Sequence, residues 1–409
     1  MQLIIKNGRI LQNNGSFLKG SIGIDQGKIA ALWYGAVPEL KSGIPSIDAE
    51  NYLVSPGLLD THIHGGLGFT LAGGQEGKQE DCHEGSWEKL EERLSSIGVT
   101  SILATCESLP AEKTLAFIAR TLALAKKTDK VDIIGIHLEG PYLNKNKKGC
   151  HWEEFIRIAD KNEIAQLLER AGDNVADGSA GGPTGNFIKV WTLAPEFSEN
   201  MAAIETIASA GVSVSIAHTE ADYPTAKAAF QAGANRITHT FNAMPAINHR
   251  YEGLISAAWQ HGAFMELIAD GLHVSPTIMK MFLSATDGGK IVLVSDNNEL
   301  SGMDEGEYLQ YGHKLLIKNS EIRLPEGNLA GSYGTLNRYA HNLTLCGISA
   351  GAALKTVSEN PARSAGVFDR KGSIAPGKDA DLVILDEQFN VRFTIKSGKL
   401  VFQKQVNQK

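Results

Sequence analysis

The feature that most constrains this chain is a rhythm of short apolar runs, each ending in polar or glycine residues. They are Leu58–Asp60, Val99–Ala104, Ile133–Leu138, Ile188–Leu193, Val212–Ala217, Arg236–Thr238, Phe264–Ala269 and Ile291–Val294. Runs this short, rich in Ile and Val and bounded by breakers, read as buried strands rather than helices. Between most of them lie segments with helical periodicity, such as Trp87–Leu94 and Thr114–Leu122. Strand–helix alternation predicts a parallel sheet, because each helical crossover returns the chain to the same strand direction. Eight such units predict a (β/α)8 barrel, an α/β fold whose chemistry sits at the C-terminal ends of its strands. A doubly wound open sheet is the rival, but no Gly-rich nucleotide turn follows the first run.

The two chain ends differ in style from the middle. Leu3–Ile5, Gly8–Ile10, Gly20–Ile24 and Ile29–Leu32 read as short strands, with Asp25-Gln26-Gly27-Lys28 as a hairpin turn. Near the C-terminus, Gly372–Lys378 reads as a turn, and Ala380–Leu385 and Val391–Lys396 as strands. Neither end can close a core alone, so both are expected to meet in one small β-sandwich. The expected domains are residues 1–55 (sandwich, first part), 56–366 (barrel) and 367–409 (sandwich, second part).

A chain of 409 residues with 43% apolar and 21% charged content can bury a sizeable core. Its formal charge of −7 provides no basic field for nucleic acid. Cys82, Cys106, Cys150 and Cys346 are far apart with no Cys-x-x-Cys pair, which indicates neither a thiolate zinc ribbon nor a disulfide framework. No apolar run approaches the roughly 20 residues of a membrane span, and Met1–Gly8 lacks the apolar core of a signal peptide. A soluble, cytoplasmic protein is expected.

The residues at the run ends carry the chemistry. Side-chain alternation puts His137 and Glu139 on one strand face, and Gly140-Pro141 ends the strand there, leaving a carboxylate at its mouth. A buried carboxylate needs an ion-pair partner, a raised pKa or a metal ion. His62 and His64, spaced i, i+2 after the first run, share a face and can share a metal. His218, His239 and Asp296 follow the fifth, sixth and eighth runs. Imidazole and carboxylate are the usual ligands of Zn²⁺ and its divalent neighbours, so Glu139, His218 and His239 read as a metal set, joined by His62 and His64. His137 reads as support for this set rather than as a ligand. His83, His261, His313 and His341 have no partner in the pattern.

From Pro56–Gly66 through Pro361-Ala362-Arg363 and Gly377–Leu382, the chain resembles the amidohydrolase superfamily. The segments His137–Asn144, Lys147–His151, Thr192–Glu196, His239–Pro245 and Ile268–His273 resemble, within it, the N-acetylglucosamine-6-phosphate deacetylases. The resemblance covers essentially the whole chain. It implies that Glu139, His218 and His239 hold the catalytic metal and that Asp296 is the acid/base. It further implies that His151 contacts the substrate and polarises its acetyl carbonyl, while Asn242, the backbone of Ala243 and Arg250 hold the sugar phosphate. His273 would reach a phosphate across a homodimer. One or two divalent ions per chain are expected, Zn²⁺ first and Fe²⁺ as the alternative.

There are departures from the family pattern. Asn297–Gly302 replaces small apolar residues, Tyr333-Gly334 stands in a Gly-Ser-small-Leu-Thr pattern, and Gly65–Thr70 lacks the acidic residue often found after the histidine pair. The first two segments border the expected sugar pocket, so they bear on which amino sugar is taken. Two rival readings are a cyclic amide hydrolase and a catalytically silent scaffold. Glu139 at the third strand argues against the first, where a modified lysine usually bridges two metals. Retention of all the candidate site residues argues against the second.

Overall fold

The computed structural model describes residues 1–35, 43–73, 84–172, 185–286, 288–310 and 313–405. All eight predicted runs are strands: β1 (Leu58–Ile63), β2 (Val99–Cys106), β3 (Asp132–Glu139), β4 (Ile188–Leu193), β5 (Ser213–Ile216), β6 (Ala234–Ile237), β7 (Phe264–Leu267) and β8 (Ile291–Leu293). Each pairs in parallel with the next. The ring is completed just past β8, where Asp296 N–H donates to His62 O (2.9 Å) and His64 N–H to Asn297 O (2.8 Å). Every residue of β1, β2 and β4 is buried. That is why these strands read as continuous apolar runs rather than alternating ones: one face fills the barrel and the other lies under helices. The helix Ala111–Ala125 shows the complementary pattern, burying Thr114, Phe117, Ile118, Thr121 and Leu122 at three- and four-residue spacing.

Both chain ends join one eight-stranded sheet. Its path runs Lys399–Gln403, Val391–Lys396, Leu382–Leu385, Leu53–Pro56, Leu3–Leu11, Phe17–Asp25 and Lys28–Trp33, with Ser46–Asp48 beside Leu3–Leu11. Leu53–Pro56 pairs antiparallel with Leu382–Leu385, so the two ends meet where the barrel begins. The predicted turn is there, with Gln26 and Gly27 at φ 47° and 72°, the left-handed pair that a two-residue hairpin of this twist requires. Residues from both ends, including Ile5, Ile22, Ile24, Val54, Leu382, Ile384 and Ile395, share one apolar cluster. The sheet is tied to the start of β3 by buried charge. Lys371 pairs with Asp132, Asp379 and Asp381, and Lys396 with Asp132 and Asp381.

One element was not anticipated. After β8 the chain forms a three-stranded antiparallel sheet, Gly306–Gln310, His313–Lys318 and Glu321–Arg323. It covers its own cluster of Leu300, Leu315, Ile317, Ile322 and Ala330, against which Met303 and Tyr333 pack. Tyr333 OH donates to Met303 O at 2.7 Å. The tyrosine that departs from the family pattern therefore packs against this sheet's cluster.

Candidate metal centre

Parallel strands end on one rim, so residues at or just past their ends converge. His62 lies within β1, His64 just beyond it, and Glu139 is the last residue of β3. His218, His239 and Asp296 lie two or three residues past β5, β6 and β8, each with a left-handed backbone (φ 46°, 33° and 53°). Such conformations are costly for residues with a Cβ and persist where the surroundings impose them, commonly at functional sites.

Glu139 is the hub. Its Oε1 is 3.2 Å from His218 Nε2 and 3.0 Å from His239 Nε2. Its Oε2 is 3.6 Å from His62 Nε2, 3.4 Å from His64 Nε2 and 3.3 Å from His151 Nε2. Asp296 Oδ1 lies 3.3 Å from His62 Nε2 and 3.4 Å from His64 Nε2. Two ligand groups result, Glu139–His218–His239 and His62–His64–Asp296, with Glu139 between them.

The protons on these rings decide what the groups can hold. His218 Nδ1 lies 2.7 Å from Lys147 O and His239 Nδ1 3.2 Å from Asn242 O. A carbonyl only accepts, so each Nδ1 carries the hydrogen and each neutral ring presents a bare Nε2. Those two Nε2 atoms are 3.0 Å apart and both face Glu139 Oε1. Three lone pairs directed at one another repel unless a cation lies among them. His62 repeats the pattern: Nδ1 is 3.0 Å from Glu266 Oε2, and Nε2 faces His64 Nε2 at 3.1 Å. This donor set fits divalent metal ions.

The electrostatics agree. Burial alone would lower the His62 pKa, but Asp296, Glu139 and Glu266 outweigh it and raise it to about 10. Burial likewise opposes charge on His64, yet Asp296, Glu107 and Glu139 push it well above the ordinary imidazole value. Burial would raise the Asp296 carboxyl, but His62 and His64 hold it low. The carboxylates thus favour positive charge on the His62 and His64 side of the mouth, whereas burial and His151 push His218 down to about 4.

His151 is different. Its Nδ1 accepts from Ser108 N–H at 3.0 Å, so a neutral ring carries its proton on Nε2, the nitrogen facing Glu139. It enters the site as a hydrogen-bond donor, not as a ligand. Asn242 and Ala243 continue the His239 loop, Ala243 at φ 51° with its carbonyl accepting from Thr219 N–H at 3.2 Å. Arg250 and His273 do not touch the cluster: Arg250 is exposed with Nε on His249, and His273 Nδ1 lies 2.6 Å from Asp270 Oδ2. His137 spans Thr61 O (3.1 Å) and Thr192 Oγ1 (2.8 Å), as expected of a supporting residue. His261 stacks on Phe230 and His341 meets Phe389 edge-on. His83, the side chain of His313 and Cys82 lie outside the described residues.

Sequence reasoning missed Glu266, Arg236 and Glu107. Glu266 is fully buried in β7 and paired with Arg236, also fully buried. A charge inside each of two apolar strand runs was the available signal. Glu107, just past β2, brings Oε2 to 3.8 Å from His64 Nδ1.

Residues 53–401 match the amidohydrolase family. The chain is 32% identical over 408 residues to an N-acetylglucosamine-6-phosphate deacetylase of Bacillus subtilis, covering 98% of this chain and 97% of that one. It is 29% identical over 403 residues to an N-acetylgalactosamine-6-phosphate deacetylase of Escherichia coli O157:H7, covering 98% and 99%. The crystal structure of the N-acetylglucosamine-6-phosphate deacetylase of Pasteurella multocida superposes with a TM-score of 0.85 at 26% identity, covering 97% of this chain and 99% of that one. With the predicted barrel and its ligand-bearing rim in place, these likenesses establish that the chain belongs to the amidohydrolase family, alongside its N-acetylglucosamine-6-phosphate deacetylases.

Proposed function

We propose that this protein is a metal-dependent hydrolase that removes the N-acetyl group from an amino sugar phosphate, converting N-acetylglucosamine-6-phosphate and water to glucosamine-6-phosphate and acetate. The observation that carries the reading is the Glu139 hub, with the Nε2 atoms of His62, His64, His218 and His239, a second carboxylate and the Nε2 of His151 around it. Glu139, His218 and His239 would hold one divalent ion, and His62 and His64 would serve a second; Zn²⁺ suits the ligands best and Fe²⁺ is the alternative. When bound, such an ion lowers the pKa of water towards roughly 7 and polarises a carbonyl.

The chain's own groups do the rest. Asp296 accepts a proton from the water that attacks the acetyl carbon, and His151 Nε2–H donates a hydrogen bond to the carbonyl oxygen as it becomes negative. As the C–N bond breaks, Asp296 passes its proton to the amine nitrogen. Acetate and the free amine leave. Asn242, the Ala243 backbone and Arg250 hold the sugar phosphate.

We further propose a cytoplasmic homodimer in which His273 reaches the partner's substrate phosphate. Exposed apolar residues near Arg250 and His273 support a subunit contact: Tyr251 (76% exposed) beside Arg250, Leu272 (44%) beside His273, and Met281 (64%) on the helix Pro276–Thr286 that follows. In this reading residues 56–366 carry the chemistry, while 1–55 and 367–409 form the supporting sandwich. No described helix is long and apolar enough to cross a membrane, and the acidic net charge offers nucleic acid no field.

The galactosamine epimer is the specific second reading, favoured by the Escherichia coli relative and by the departures at Asn297–Gly302 and Tyr333. Acetate release from both N-acetylhexosamines, each with and without 6-phosphate, separates these readings. Release from none of the four overturns the proposal.

A further inference from the structure

We propose that Glu266, braced by Arg236, is a positioning residue that makes the His62 half of the mouth able to bind metal; this rests on the metal reading above. His218 and His239 each have Nδ1 held by a neutral backbone carbonyl from a loop. His62 sits inside β1, and its Nδ1 faces a carboxylate rather than a carbonyl. A side chain from β7 reaches it instead.

Both oxygens of Glu266 are occupied. Oε2 takes His62 Nδ1–H at 3.0 Å and the backbone N–H of His239 at 3.1 Å. Oε1 takes the Arg236 guanidinium, Nε at 2.9 Å and one terminal nitrogen closer still. Arg236 is fixed in turn by Ser364 Oγ (2.7 Å) and Thr61 Oγ1 (2.6 Å). One carboxylate thus touches a residue of each ligand group, and its main-chain carbonyl accepts from Thr240 N–H at 2.9 Å. An ion pair buried only for stability gains little over packed apolar side chains. Here the pair has a directional output: it holds the His62 hydrogen on Nδ1 and aims Nε2 at the mouth.

Two variants separate this role from bulk stability. Glu266→Asp keeps the charge opposite Arg236 but withdraws the oxygen from His62 by about one methylene, whereas Glu266→Gln with Arg236→Gln removes both charges and keeps an acceptor for His62. Zinc affinity is read by chelator competition on the whole protein, with circular dichroism to confirm folding. Glu266→Asp should weaken the more loosely held ion by about 10–100-fold, the usual effect of removing an outer partner of a metal-binding histidine, and the double variant should recover most of that loss. Two ions bound with wild-type affinity in Glu266→Asp, or no recovery in the double variant, would overturn the inference and leave the proposed function standing. A wild-type protein that takes up no metal would overturn the proposed function itself.

Discussion

Replacing Asp296 by Asn keeps the side chain's shape and removes its charge. The turn holding residue 296 is tied by main-chain groups, Asp296 N–H to His62 O and Ser332 N–H to Asp296 O, each 2.9 Å. Asn tolerates the left-handed φ of 53° at least as well as Asp. The fold should survive. What is lost is a base: the carboxylate oxygen 3.3 and 3.4 Å from His62 and His64 Nε2 becomes an amide that cannot carry a proton away from water. General acid–base transfer is typically worth 10²–10⁴ in rate, so kcat should fall by at least about 10²-fold, or about 2.7 kcal/mol at 1.36 kcal/mol per decade. Because the interaction develops only in the transition state, kcat/KM should fall with kcat while KM stays nearly constant. Acetate release under saturating substrate, with metal content and Tm measured on the same preparation, gives the answer. A variant that keeps its metal and fold and turns over within about tenfold of wild type would refute Asp296 as the proton carrier.

Other outcomes follow from the same geometry. Elemental analysis after expression with supplied metal should give close to two divalent ions per chain, falling towards one in His62→Gln/His64→Asn; equal content in both proteins would make the pair a bystander. Mixed dimers of Arg250→Ala and His273→Ala subunits should regain activity that neither parent shows, since one site per heterodimer is intact, and verified heterodimers without rescue would count against the shared phosphate site. Lys371 is the third case. Burial would lower its pKa, but Asp381, Asp132 and Asp379 raise it, while Lys371 and Lys396 overcome burial to hold Asp381 low. The depressed Asp381 stabilises the fold above its unfolded pKa of about 3.9 and loses that contribution as pH falls below it; the raised Lys371 contributes below about 10.4 and is lost above its folded value. Lys371→Met leaves buried carboxylates short of a partner and should cost about 3–5 kcal/mol at pH 7. That deficit, read as the Tm difference from wild type, should shrink as the pH falls from 7 to 4 and the acids protonate; a constant or growing difference would show that the cluster is not held by charge.

The barrel was legible because its strands are buried on both faces, which turns each into an unbroken apolar run, and because a parallel sheet collects every run end on one rim. Once the rim is inferred, His62, His64, Glu139, His218, His239 and Asp296 need only their places in the eight-fold rhythm, and the structure gathers them into two groups joined through Glu139. What escaped depends on contacts between distant runs. Glu266 and Arg236 interrupt two apolar strands in a way that looks like noise one strand at a time; only β6 lying beside β7 shows each charge answering the other, and only the closed ring puts His62 against their outer edge. The three-stranded sheet of residues 306–323 escaped for a different reason. Its small cluster takes Leu300 and Tyr333 from flanking loops, so the strands carry too little of their own core to stand out as a pattern. Tyr333 shows how the two failures meet. As sequence it reads as an altered sugar-pocket residue, whereas in the fold its hydroxyl is spent on Met303 O and its ring on the small sheet's cluster. Such a residue can alter substrate choice only by moving the sheet it packs against, so Tyr333→Phe, which removes that hydrogen bond and keeps the ring, is a sharper probe of epimer preference than any change made inside the metal centre.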